Sequence, residues 1–153
     1  MPRDHAFETE LTIAVPRPTV WTALVQPSGA RRWMHGATVT STWAPGASVA
    51  VEVRLEGDVR HDRGTVLDAD APALLRWNTW SAISRRPDTE ADRSIITVRL
   101  SEPRAGATVL HLRHERLDVV AWHHVAVFWP VALGLLRDLL EGTARPAPIA
   151  FLD

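Results

Sequence analysis

The sequence predicts an α+β domain in which an antiparallel sheet of about six or seven strands curves around one long, kinked C-terminal helix, with two short helices after the first strand. Three observations carry this. The opening "FETELTIAV" alternates apolar and polar residues, the stretch from Ala37 to Leu117 is divided into short β-type runs by turn signals, and "VAWHHVAVFWPVALGLLRDLLEG" is a single long helical pattern. A meander of that size cannot bury its inner face alone. The last helix, about 34 Å long at 1.5 Å per residue, is the only element large enough to cover it.

The elements follow in order. Phe7, Thr9, Leu11, Ile13 and Val15 fall on one side of the first segment, and Glu8, Glu10 and Thr12 on the other, which makes it a half-buried strand. "PRPTVWTALVQP" is a short helix with Pro18 suited to its first turn and Pro27 at its stop, and Ser28 can cap a second, "GARRWM". "ATVTSTW", "ASVAVEVRLEG", "RGTVLDAD", "ALLRWNTWSA", "SIITVRL" and "ATVLHLRHERL" read as strands, with "RRPDTEADR" a charged loop and "EPRAG" a hairpin turn. Gly142 stands where a helix C-cap falls, and the Pro-rich tail 143–153 is expected to be loosely held.

The long helix has almost no polar side. Trp122, Val125, Ala126, Trp129, Leu133, Leu136 and Leu140 form one stripe at steps of three and four; Phe128, Val131, Leu135 and Leu139 form a second. Such a helix is normally buried on more than one side, so two contact surfaces are expected, a sheet and a partner or ligand. The uninterrupted apolar run Val125–Leu136 is well short of the roughly 20 residues of a membrane span. Pro130 lacks an N–H and should kink the helix, either opening a pocket mouth or following a packing bend.

A chain of 153 residues is expected to be one domain, with its core at 7–142. Its 46% hydrophobic and 23% charged residues and net charge of −1 suit a soluble globular protein and argue against nucleic-acid or anionic-membrane partners. The lack of cysteine rules out disulfides and thiolate chemistry, and "MPRDHAFETE" has no apolar signal region, so a cytoplasmic location is the default. All 17 basic residues are Arg, a bias that a GC-rich genome tends to produce. Seven Trp are less easily set aside, because a buried indole N–H needs a partner; they suggest large apolar surfaces being shaped.

Together "TIAVPRPTVWTAL", Trp33, "PG" at Pro45 and Gly46, "RGTVLDADAPALLRW", "SIITVRL", "ATVLHLRHERL" and "FWPVALGLLRDLLEG" resemble the SRPBCC superfamily, also called the START or helix-grip fold. The nearest branch is the one named for activators of the heat-shock ATPase chaperone, which is related to polyketide cyclases. The resemblance runs from Phe7 to Gly142 and rests on the order of weak motifs. It implies a deep cavity between sheet and helix, used to bind or sequester a bulky hydrophobic or aromatic small molecule such as a polyketide or an enediyne in self-resistance. A polyketide cyclase or aromatase is the alternative, and a chaperone-regulating interaction domain the second. No cofactor is implied, and a homodimer is left open.

Strand parity then selects residues. If the face bearing Leu110 and Leu112 is inward, His114 enters the cavity, as a functional group or as a satisfied core histidine. Trp77 and Trp80 point to opposite sides, and Trp77, in step with Leu75, is the inward choice. Trp33, His35 and Trp43 could form the mouth, where rings stack on a planar ligand, or simply pack. Trp122, Ala126, Trp129 and Leu133 would line the helix side. An enzyme would use His114 as acid or base with Arg63 or Arg99 as oxyanion partner. No metal site is expected: His111 and His114 face opposite ways on a strand, and His123 and His124 diverge on a helix.

Overall fold

The computed structural model describes residues 5–26, 33–34, 36–55, 57–81, 84 and 86–142, the Leu55 side chain aside. Its strands are β1 (His5–Ile13), β2 (Thr38–Thr40), β3 (Ser48–Leu55), β4 (Asp58–Asp70), β5 (Leu74–Thr79), β6 (Ser94–Arg104) and β7 (Ala107–Leu117). Two α-helices join them, α1 (Arg17–Val25) and α2 (Val119–Glu141). The strands form one antiparallel sheet in the order β1-β7-β6-β5-β4-β3-β2. The second short helix expected after Ser28 lies outside the described residues.

Register fixes which side chains face α2. Leu11 pairs with Leu110 and Leu110 with Leu100; one step along, Phe7 pairs with His114, His114 with Ile96 and Ile96 with Trp77. Alternation therefore gives one face to Leu100, Leu110, Leu112 and His114 and the other to Glu10, Arg99, His111 and Arg113. The first set is buried, with Leu110 at 0% and Leu112 at 1% exposure. The second carries a polar ladder in which Glu8 contacts His111 and ion-pairs with Arg113.

The helix α2 lies mainly over β1 and β7, while α1 packs on β6 and β7. Its buried stripe is Val125, Trp129, Ala132, Leu133 and Leu136. It is pinned near both ends to β1 and the residue that follows it: Trp122 Nε1 donates to the Ala6 carbonyl (2.9 Å), and the Ala14 N–H donates to Glu141 (2.8 Å). From Trp122 to Glu141 the helix rises about 28 Å and from Ala6 to Ala14 the strand rises about 26 Å, so the two elements match in length. Asp118 caps the start by accepting from Ala121 N–H (2.8 Å) while ion-pairing with Arg86, and Gly142 ends the helix at φ 71°. The helix continues through Pro130, which stands on its exposed side.

By length and composition alone α2 could cross a membrane, which its uninterrupted apolar run taken by itself could not. Its buried stripe marks it as the core helix. The second apolar stripe differs from the sequence expectation: Val131 and Leu135 face solvent, at 49% and 42% exposure, and no second surface among the described residues covers them.

One local departure from the sequence reading has a backbone cause. Strand β4 begins at Asp58, five residues before "RGTVLDAD", because a tight turn with Gly57 at φ 73° lets it pair with β3 along its whole length. Farther along, Gly64 is required by close approach, since a Cβ there would collide with the Asn78 carbonyl of β5. The Asn78 side chain then accepts from Thr65 N–H (2.8 Å) and from Arg93 (3.1 Å), tying the charged loop to the sheet.

Candidate functional site

The side of the sheet that carries α2 is lined by aromatic residues. Trp33, Trp43 and Trp129 are buried members of one core cluster, and Trp77 and Trp122 pack against it. Trp77 is on the His114 side of the sheet. Trp80, by contrast, donates from Nε1 to the Arg86 carbonyl (2.9 Å) and carries the Arg63 guanidinium 5.0 Å above its ring.

Each indole has a different engagement. Trp122 is bound to Ala6 and meets Phe7 edge-on at 6.3 Å, which docks α2 onto β1. Trp43 donates to the Val25 carbonyl (3.1 Å) at the end of α1 and meets Trp77 edge-on at 5.4 Å. Its backbone is left-handed, at φ 61°, an outlier for so bulky a residue that costs on the order of 1–3 kcal/mol. Ser41 Oγ, accepting from Trp43 N–H at 3.0 Å, helps to hold it there. Trp33 is the exception: it is 3% exposed, and its Nε1 has no acceptor among the described residues. A buried donor left unpaired costs about 1–3 kcal/mol.

His114 is 6% exposed and sits in a short chain of hydrogen bonds. Trp129 Nε1 lies 3.0 Å from its Nδ1, and Ser94 Oγ lies 2.8 Å from its Nε2. An indole N–H can only donate, so Nδ1 must be the accepting nitrogen, the proton sits on Nε2, and His114 donates to Ser94. Burial first, and the nearness of the His124 ring second, hold its pKa down at about 3, so the ring is neutral. This has a chemical consequence. In a nucleophilic Ser–His pair the imidazole accepts the hydroxyl proton; here that polarity is reversed, and the only basic lone pair faces Trp129.

The structure does not bring the conditional catalytic set together. Arg99 is exposed on the far face, in register with His111. The Arg63 side chain is 61% exposed, and it binds Asp88, which Arg93 also binds. Of the other expected ligand contacts, Leu133 is buried, Ala126 is half-buried, and His35 lies outside the described residues. Sequence reading missed Ser94. Its signal was parity, because Ser94 is in step with Ile96, Val98 and Leu100. Two shallow, solvent-open grooves of about 470 and 380 Å³ lie on the far face, beside Arg99 and His111. No group of three or more metal-ligating side chains occurs among the described residues.

The curved sheet gripping a long C-terminal helix defines an α+β helix-grip protein. A sequence model described as Activator of Hsp90 ATPase homolog 1-like protein matches residues 14–141, and the chain belongs to that family. Solved structures share its fold, among them the following three. ChR145 from Cytophaga hutchinsonii is 24% identical, with a TM-score of 0.76 over 93% of this chain and 97% of that one. CalU16 from Micromonospora echinospora is 22% identical, with a TM-score of 0.70 over 92% and 80%. PFC0360w, an HSP90 activator from Plasmodium falciparum, is 16% identical, with a TM-score of 0.70 over 90% and 96%. No curated protein matches in sequence.

Proposed function

We propose that this protein binds or sequesters a bulky, apolar, partly aromatic small molecule that carries an oxygen acceptor, held between the sheet and α2. The observation that carries this reading is the N–H of Trp33, which has no acceptor among the described residues, within an aromatic core cluster. A ligand carbonyl or hydroxyl would supply the missing acceptor, and neighbouring rings would supply stacking area. A polyketide or enediyne-type secondary metabolite, bound in self-resistance, has that chemistry. The neutral, hydrogen-bonded His114 suits a binding wall better than an acid or base, which weighs against a cyclase or aromatase.

Titration of the intrinsic Trp fluorescence with anthraquinone and with anthracene tests the hydrogen-bond assignment. Trp33→Phe keeps an aromatic ring and deletes the N–H, so affinity for anthraquinone should fall about ten-fold, while affinity for anthracene should hardly move. An equal change for both probes would remove the assigned hydrogen bond. Failure of wild-type protein to bind either, together with an empty native mass spectrum for protein purified from its own host, would remove the binding reading. The family name favours one second reading, a chaperone-regulating interaction. Stimulation of a purified Hsp90 ATPase by the chain would support it.

A further inference from the structure

The outward face of α2 is apolar over most of its length. Val120 is 76% exposed, Val127 70%, Val131 49% and Leu135 42%. At about 100° per residue, Val120, His124, Val127, Val131, Leu135 and Asp138 lie in one narrow sector, opposite the stripe that packs on the sheet. Gly134 flanks that sector in mid-helix, where glycine is destabilising relative to alanine. A Cβ at Gly134 would meet nothing within 4 Å, so no described intramolecular neighbour requires the glycine.

We infer that this face is the interface of a two-fold symmetric dimer, with the two α2 helices packed antiparallel about an axis at Val131. The sequence is self-complementary about that point. Val131 meets its own copy. On one flank Val127 faces Gly134 of the second copy, whose missing side chain admits it, and on the other Phe128 faces Leu135. One turn farther out, His124 faces Asp138, so a donor meets a carboxylate at both ends, and the helix dipoles oppose each other favourably. A lipid surface fits less well, because interfacial helices flank the apolar face with many basic residues, whereas this sector contains none and the chain carries a net charge of −1. A helix face of about 34 Å by 10 Å is smaller than the roughly 800 Å² that each partner of a standard interface buries, so the dimer should be concentration-dependent.

Sedimentation velocity from the low-micromolar to the several-hundred-micromolar range tests this on the full chain. The mass should rise toward that of a dimer, and Val131→Lys, which sets two like charges together on the axis, should weaken association at least ten-fold. Because the chain has no cysteine, single-cysteine variants report proximity directly. Helix axes about 8–10 Å apart place the two Val131 Cα atoms roughly 4–5 Å apart, within disulfide reach. Val131→Cys should therefore oxidise to a covalent dimer much faster than Val59→Cys, a control of similar exposure, 45%, on β4. A monomer at every concentration, a dimer unaffected by Val131→Lys, or equal oxidation of the two cysteine variants would each overturn the inference. So would vesicle binding by a monomer that Val131→Lys abolishes.

Discussion

Neutral His114 makes the protein's stability depend on pH, and the size of the effect follows from its burial. The ring is held neutral down to a pKa of about 3, against an ordinary value of 6.5. Between those values the unfolded chain binds a proton that the folded chain refuses. Stability is therefore fully present above about pH 6.5 and is lost as pH falls toward 3. The whole span is worth on the order of 5 kcal/mol, and the part lost between pH 7 and pH 5 about 2 kcal/mol. For a domain of this size that corresponds to a fall in Tm of about 4–8 °C. The perturbation that isolates it is His114→Gln, whose amide can accept from Trp129 and donate to Ser94 while carrying no titratable proton. Urea denaturation of both proteins at pH 7 and pH 5 should show wild type losing about 2 kcal/mol more than the variant across that interval. The absolute stability of the variant does not matter, since only the difference in slope is read, and carboxylate contributions common to both cancel. An identical pH slope in the two proteins would show that His114 takes up its proton in the folded state, refuting the hydrogen-bond polarity derived from Trp129.

Three further outcomes are expected. Gly64→Ala should destabilise the fold by about 1–3 kcal/mol or more, read by thermal denaturation, because its Cβ would meet the backbone carbonyl of Asn78, which cannot move without disturbing the β4–β5 pairing. Glu102 accepts from Arg17 N–H (2.7 Å) and Gly106 N–H (3.0 Å), and these bonds hold its pKa below 4.5; Glu102→Gln should be less stable than wild type at pH 7, with the gap closing as pH falls through the depressed value. Trp43→Phe should cost about 1–3 kcal/mol in urea denaturation by leaving the Val25 carbonyl without its donor.

The order of elements, the half-buried first strand, Pro18 in the first turn of α1, the C-cap at Gly142 and the inward set of Leu110, Leu112 and His114 could be read from the chain, because each depends on residues within a few positions of one another. Alternation with a period of two is local, and so is the helical stripe of Val125, Trp129, Leu133 and Leu136. The early start of β4 was hidden because "DVRHD" has little β character, and only pairing with β3 extends it.

What sequence determined by itself is thus the pattern of faces and the fold class. Tertiary structure decided the chemistry of those faces. That Trp129 donates to His114, that His114 then donates to Ser94, that Trp33 finds no acceptor among the described residues, and that Arg63 and Arg99 lie away from His114 all depend on distances between separate elements. The second stripe of α2 shows the same division. Its apolar character was plain in the sequence, but whether the sheet covers it depends on how the helix is rotated. Trp122 and Glu141, binding to β1, set that rotation and leave Val127 and Val131 facing outward.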